Sequence, residues 1–127
     1  MTPTAEGAGT EADRQTQLLR GVLDMCLLAL LAKEPAHGYE VVRRLNAAGL
    51  PAVGYGTVYP LLTRMRRLGL VADAVEDSPA GPPRKVSAPT PQGRRTLAAW
   101  TRQWTDFVDT VDTTIAGVEP PASRTGR

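Results

Sequence analysis

The side chains best suited to bond-making chemistry are scarce in this sequence. Among 127 residues there is one histidine, His37, and one cysteine, Cys26. Nucleophilic catalysis and zinc binding each need several such groups, so neither residue has the partners that a site requires. His37 is expected to cap a helix or to pack, and Cys26 lies in an apolar run that favours burial over reactivity. The sequence therefore predicts no catalytic residue, no cofactor and no metal, and a protein that is not an enzyme.

Two other patterns resemble binding motifs without meeting their requirements. Gly54-Tyr55-Gly56 lacks the third glycine and the preceding strand of a dinucleotide-binding fingerprint. Asp106, Asp109 and Asp112 are spaced by three residues, unlike the ligands of a calcium loop. These aspartates are predicted to form the solvated face of a helix.

A different chemistry is indicated by the predicted third helix, about Thr57 to Leu68. Its apolar residues follow the helical period and are predicted to be buried: Val58, Leu61, Leu62, Met65 and Leu68. The opposite face holds mainly hydroxyl and guanidinium groups: Thr57, Tyr59, Pro60, Thr63, Arg64 and Arg67. Such groups can bind guanine, phosphates and base edges in the major groove of DNA. Arg84 and Lys85 follow a turn rich in proline and glycine, from which they would reach the flanking DNA backbone.

The charge distribution fits this interpretation. The formal net charge of the chain is only +2. Residues 37–95 nevertheless hold nine basic and four acidic residues, whereas residues 1–36 and 96–127 are both net acidic. A basic middle segment suits a polyanionic partner, because each phosphate that it neutralises releases condensed counterions.

The first helix is predicted from about Gln15 to Lys33. Its second half is apolar on nearly every side, so it must be covered on nearly every side, and a second copy of the chain is expected to supply part of that cover. Its longest apolar stretch, Val22 to Ala32, contains Asp24 and is too short to cross a bilayer. We expect a soluble cytoplasmic protein with no membrane partner.

The remaining elements follow from turn and capping residues. A second helix is predicted over Tyr39 to Ala48, with Tyr39, Val42 and Leu45 on its inner face. Strands are predicted over Leu70 to Val75 and Arg84 to Ala88, and a fourth helix from Thr90-Pro91 to about Ala116. The predicted fold is mainly α: a winged helix-turn-helix of three helices and a two-stranded β-wing, followed by a C-terminal helix. The expected organisation is a disordered segment 1–14, a winged domain 15–89, the last helix 90–116 and a disordered tail 117–127.

Apolar residues recur along the fourth helix at alternating spacings of three and four, which is typical of a helix that pairs with a partner. The predicted dimerisation residues on this helix and the first are Leu19, Val22, Leu23, Cys26, Leu97, Trp100, Trp104, Phe107, Val108 and Val111.

Three segments, in this order, resemble the PadR family of transcriptional regulators. The run from Tyr55 to Val71 is similar to the recognition-helix signature of that family. His37-Gly38-Tyr39-Glu40 matches the opening of its second helix. Arg84-Lys85 followed by Thr90-Pro91-Gln92-Gly93 matches its second wing strand and the start of its dimerisation helix. The resemblance covers about residues 17–115.

This resemblance implies a homodimer that is built through the first and fourth helices and binds a near-palindromic operator in double-stranded DNA, usually as a repressor. It places Tyr39, Thr57, Tyr59, Thr63 and Arg64 toward DNA, with Arg84 and Lys85 in the wing. In some members with a short C-terminal region, an aromatic residue at the position of Trp104 stacks on planar drugs. We therefore hypothesise a flat, apolar effector at Trp100 and Trp104.

The sequence departs from the family pattern in the wing. Val86 and Ser87 stand where tyrosines are common, and Pro89 stands where leucine is common, so a shorter or less regular second strand is expected. Two alternatives to specific DNA binding remain: a dimeric winged-helix module for protein interaction, and a protein that sequesters a ligand. The positive charge of residues 37–95 argues against the first.

Overall fold

The computed structural model describes residues 10–50 and 53–119. Within them, four helices and two strands follow in the order α1 (Glu11–Lys33), α2 (Gly38–Ala47), α3 (Tyr55–Arg67), β1 (Val71–Glu76), β2 (Arg84–Pro89) and α4 (Pro91–Ile115). The two strands form an antiparallel hairpin in which Val71 pairs with Pro89 and Glu76 with Arg84. This architecture confirms the predicted winged helix-turn-helix with an added C-terminal helix.

The core lies where α1, α2 and α3 meet above the hairpin. Its members are Leu23, Leu27, Leu28 and Leu31 from α1, Val41 and Leu45 from α2, Val58, Leu62 and Met65 from α3, and the flanking Ala36, Val53, Leu70 and Val71. By length and composition alone, α1 could cross a membrane. Three of its seven leucines, Leu27, Leu28 and Leu31, are nevertheless fully buried against other elements of the chain.

The first helix begins at Glu11, earlier than the predicted Gln15, so residues 11–14 of the predicted disordered segment are helical. The reason is a cap that the apolar pattern does not reveal: the Thr10 hydroxyl accepts a hydrogen bond from the Asp13 N–H at 3.0 Å. Residues 1–9 of that segment and residues 120–127 of the predicted tail lie outside the described residues.

The start of α2 confirms the predicted role of His37 and corrects the predicted inner face. The His37 Nδ1 accepts a hydrogen bond from the Glu40 N–H at 3.3 Å and so caps the helix. Val41 and Leu45 are fully buried, whereas Tyr39 is 64% exposed. The inner face therefore follows a spacing of four residues, and the prediction of Tyr39 on that face was wrong.

The end of α3 corrects a second predicted core residue. Leu68 is 55% exposed, because the helix has ended and the chain turns at Gly69 with a φ of +79°. The turn is closed by a hydrogen bond of 2.9 Å from the Leu70 N–H to the Met65 carbonyl. Leu70 is thereby carried into the core in place of Leu68.

The wing is more regular than its composition predicts. Both strands are six residues long and pair along their full length. The expected shortening of the second strand was wrong, because β2 is held from both sides. Besides pairing with β1, its Ser87 exchanges two backbone hydrogen bonds, of 2.8 and 3.2 Å, with Ala36 in the connection between α1 and α2.

A tight junction joins the end of α3 to the start of α4. The Thr90 hydroxyl accepts from the Gly93 N–H at 2.9 Å and donates to the Gly69 carbonyl at 2.6 Å, while the Thr90 N–H donates to the Leu70 carbonyl at 3.0 Å. Gly93 is buried directly over Leu70, and a Cβ at this position would collide with the Leu70 carbonyl oxygen. The glycine thus lets α4 approach the backbone that follows α3.

We expect Gly93→Ala to lower the free energy of unfolding by about 1–3 kcal/mol, because a methyl group meeting rigid backbone forces the junction apart. Chemical denaturation followed by circular dichroism measures this change. Gly56→Ala is the matched control, since a Cβ there meets nothing within 4 Å. Equal stability of Gly93→Ala and the unsubstituted protein would show that the junction is not tightly packed.

Candidate nucleic-acid interface

The exposed side of α3 carries most of the residues predicted to face DNA. The exposed members of this set are Thr57, Tyr59, Pro60, Arg64 and Arg67. The fully buried Val58, Leu62 and Met65 point to the core from the other side and fix the rotation of the helix. One continuous face of α3 is therefore free to enter a groove, as the recognition helix of a helix-turn-helix protein does.

Thr63 differs from its neighbours on this face. Its residue is half-buried, and its hydroxyl oxygen is buried without a hydrogen-bond partner among the described residues. A hydroxyl in this orientation does not offer a bond to DNA. The structure thus contradicts the predicted outward direction of this side chain, which turns toward the protein because Thr63 lies at the border between the two faces of the helix.

Ion pairs separate the arginines of α3 into two groups. Arg66 donates to the Asp73 carboxylate of β1 at 2.9 Å and to the Ser87 hydroxyl of β2 at 3.2 Å. Arg64 and Arg67 form no ion pair within the part of the chain that the structure describes. Arg66 therefore fastens the helix to the wing, and the other two guanidinium groups remain available to an external anion.

The wing places its basic pair at the end of the hairpin. Arg84 and Lys85 are exposed at the start of β2, and the Lys85 ammonium lies 3.9 Å from the Asp73 carboxylate. An exposed pair at this separation contributes little to stability, so the lysine can exchange this partner for a phosphate. Both residues therefore lie at the turn end of the hairpin, opposite Glu76 and Val75 of β1.

The backbone of α3 adds to the positive field. Its first turn contains no acidic residue, and its N-cap, Gly54, makes no side-chain capping bond. The unpaired N–H groups and the positive end of the helix dipole at this terminus favour an anion. Basic residues are confined to the last turn, where they stabilise the negative end of the dipole.

Tyr55 lies beside two residues of this interface, although it was not among the residues predicted to face DNA. Its ring stacks on that of Tyr39 with a centroid separation of 4.2 Å and an interplanar angle of 11°, and it lies 5.6 Å from the ring of Tyr59. The four-residue spacing of Tyr55 and Tyr59 on one helix indicates that these two are neighbours. The contact with Tyr39 joins two helices, and no local pattern predicts it.

A second candidate site lies between α1 and α4. Here a cavity of about 540 Å³ is lined by Gln17, Leu18, Gly21, Val22, Asp24, Met25, Trp100, Gln103, Trp104 and Phe107. Both tryptophans of the sequence face it. Its lining therefore combines aromatic and aliphatic side chains with one carboxylate, that of Asp24.

The residues predicted to mediate dimerisation divide into three groups by burial in the structure. Leu23 is only 7% exposed and belongs to the core of its own chain, so it has little surface to offer a partner. Leu19, Cys26, Leu97 and Trp100 are partly buried against that core, and Val22 and Val108 are half-buried. Trp104, Phe107 and Val111 are exposed, with 59% of the Phe107 surface open.

The environment of Cys26 agrees with a packing role. Burial raises the pKa of its thiol, and the neighbouring Asp24 carboxylate raises that pKa further. Near neutral pH the protonated thiol therefore predominates, which is the less nucleophilic form.

Comparison with known proteins identifies the family. The description "Transcriptional regulator PadR-like family" matches residues 27–99, which is more than half of the chain. No curated protein sequence matches at a significant level.

Solved structures give the same result. A PadR-like transcriptional regulator from Bacillus cereus is 35% identical, with a TM-score of 0.74, and the match covers 80% of this chain and 98% of that one. A PadR family regulator from Eggerthella lenta is 33% identical, with a TM-score of 0.73 and coverage of 84% and 92%. A Streptococcus transcriptional regulator is 33% identical, with a TM-score of 0.70 and coverage of 77% and 96%. With its winged helix and its basic, exposed α3, this chain belongs to the PadR-like family of transcriptional regulators.

Proposed function

We propose that this cytoplasmic protein is a sequence-specific regulator of transcription that represses its target gene by binding double-stranded DNA as a homodimer. The observation that carries the proposal is the exposed face of α3, on which Arg64 and Arg67 form no ion pair with any residue that the structure describes. Arginine in the major groove makes paired hydrogen bonds to guanine, so these residues are suited to read bases. Arg84 and Lys85 in the wing are suited to bind phosphates, which position the protein without reading sequence.

The two α3 helices of the dimer enter successive major grooves on one side of the duplex. Their half-sites then lie about one helical turn apart, roughly 10 base pairs from centre to centre, in an inverted repeat. Support for the dimer comes from α4, where Trp104, Phe107, Val111 and Ile115 leave an apolar face exposed. An apolar face of this extent on a helix is typical of a protein–protein contact.

We further propose that a planar, apolar small molecule binds the cavity beside Trp100 and Trp104 and releases the protein from DNA. A cavity of about 540 Å³ falls within the usual size range for sites of drug-sized ligands. Because α1 and α4 line the cavity and also carry the proposed dimer contacts, a ligand there would change the spacing of the two α3 helices.

The DNA-binding role predicts that the protein prefers a particular sequence and that Arg64 contacts bases whereas Lys85 contacts phosphate. Selection of duplexes from a random pool at physiological salt should enrich an inverted repeat with half-sites about one turn apart. Arg64→Ala should weaken binding to that operator by on the order of 1–3 kcal/mol and relax its sequence preference, because a base contact is lost. Lys85→Ala should mainly reduce the salt dependence of binding, because a phosphate contact is lost.

Equal losses on operator and random DNA for Arg64→Ala would contradict its role in reading bases. If no duplex is enriched, the protein is better described as a dimeric module for protein interaction or ligand sequestration.

The dimer predicts that a charge on the exposed face of α4 separates the protomers. Phe107→Lys should convert the dimer to a monomer in sedimentation experiments, because the ammonium group would be buried against apolar side chains. Thr113→Lys adds the same charge to an exposed position on the opposite side of α4 and should leave the dimer intact. A monomeric unsubstituted protein at micromolar concentration would contradict the proposal.

The effector site predicts an optical signal. Acridine and similar planar aromatic compounds should quench the tryptophan emission, because both tryptophans of the chain line the cavity. They should also lower operator affinity, and Trp104→Ala should reduce both effects. Unchanged emission across a panel of such compounds would contradict this assignment.

A further inference from the structure

All three tyrosines of the chain lie together at the candidate nucleic-acid interface, where they form a strip of adjacent rings that we call the tyrosine strip: Tyr39, Tyr55 and Tyr59. Tyr39 and Tyr59 are exposed and occupy positions predicted to face DNA. Tyr55 is half-buried between them and stacks almost parallel to Tyr39. The strip therefore joins the first turn of α2 to the first two turns of α3 through one central ring.

The Tyr55 ring lies close to the backbone of Gly38, which has no side chain to obstruct it. A Cβ on Gly38, the first residue of α2, would lie only 2.6 Å from the Tyr55 Cε1. Glycine at this position leaves the space that the ring occupies. Since Gly38 has no left-handed φ to explain its presence, close approach of the aromatic ring is the structural requirement that it meets.

A free tyrosine on the surface samples several rotamers and loses that freedom when it binds. Contact with the Tyr55 ring on one side restricts Tyr39 before DNA arrives, and the tilted contact on the other side restricts Tyr59. These contacts restrict the orientations of the Tyr39 and Tyr59 rings relative to each other. Part of their loss of conformational entropy then accompanies folding and not the binding of DNA.

We propose that Tyr55 is a positioning residue for DNA recognition: its ring, seated on Gly38, holds Tyr39 and Tyr59 in the orientation in which they meet the duplex. This inference rests on the proposed function and deepens it. It assigns the effect to the aromatic ring of Tyr55 and not to its hydroxyl group. Tyr55→Phe should therefore retain operator affinity, whereas Tyr55→Leu should weaken it roughly two- to ten-fold, the range expected from the loss of aromatic stacking.

The close approach of Gly38 provides an independent test by a double-mutant cycle. Gly38→Ala adds a methyl group that pushes against the far end of a flexible side chain, so the ring should move while the fold is kept. Operator affinity should fall about as much as in Tyr55→Leu. In the Tyr55→Leu background, where the aromatic carbon is absent, the same alanine should cost little further affinity.

Labelling with 3-fluorotyrosine reports on the strip directly, because the chain contains only these three tyrosines. The unsubstituted protein should give three dispersed ¹⁹F resonances. In Tyr55→Leu the two remaining signals should move toward the position of free fluorotyrosine. Thermal unfolding of each variant, together with affinities corrected for the folded fraction, separates positioning from a general loss of structure.

The outcomes are distinguishable. The inference is supported if Tyr55→Phe binds operator normally, the leucine and alanine variants bind weakly while folded, and their effects are not additive. It is overturned if Tyr55→Leu binds as tightly as the unsubstituted protein, or if Tyr55→Phe loses as much affinity as Tyr55→Leu, which would make the hydroxyl a direct contact. Failure of the unsubstituted protein to select any DNA would instead overturn the proposed function, and this inference with it.

Discussion

The junction between Gly69 and Gly93 is the constraint on which the rest of this structure depends. After α3 the chain turns at Gly69, which has a left-handed φ, and Leu70 enters the core. The Thr90 hydroxyl, directly after β2, donates to the Gly69 carbonyl and accepts from the Gly93 N–H in the first turn of α4. The helix suited to read DNA and the helix suited to pair with a second protomer are thus fastened to each other. The end of α3 and the start of α4 are held together by these hydrogen bonds, which would couple the two helices if, as proposed, a ligand changes the packing of α4.

Most of the fold could be predicted because it is encoded locally. Thr90-Pro91 defines the start of α4, Gly69 defines the end of α3, and His37 caps α2, each through bonds within a few residues. The errors have two kinds of cause: a local cap or turn that the apolar period does not reveal, as at Thr10 and Gly69, and contact between distant parts of the chain, as at Ser87. Leu68 looked buried because it continues the period of α3, but the turn at Gly69 replaces it with Leu70. The second strand looked weak because nothing in its own residues reveals its pairing with Ala36.

In the candidate site, too, some features follow from the local sequence and others depend on contacts between distant residues. The basic face of α3 follows from helical periodicity, yet the sequence does not reveal which arginines are internally paired. In the structure, Arg66 bonds to Asp73 and Ser87, and on α2 Arg43 and Arg44 both pair with Glu40. Positive charge that looks uniform along residues 37–95 is therefore divided between structural arginines and available ones. The stacking of Tyr55 on Tyr39 could not be predicted either, because Tyr39 is sixteen positions away on another helix.

The bridge between Ala36 and Ser87 also determines which side of the wing is open. The isolated bridge to Ala36 covers the outer side of β2 at Ser87, whereas β1 has no strand or bridge on its outer side within residues 10–50 and 53–119. An unpaired edge can recruit a strand from another molecule and lead to aggregation. Here the edge is only six residues long and carries the acidic Asp73 and Glu76, features that oppose such recruitment. The Asp73 carboxylate thus pairs with Arg66 and also places a charge on an edge strand, where charge opposes the addition of a further strand.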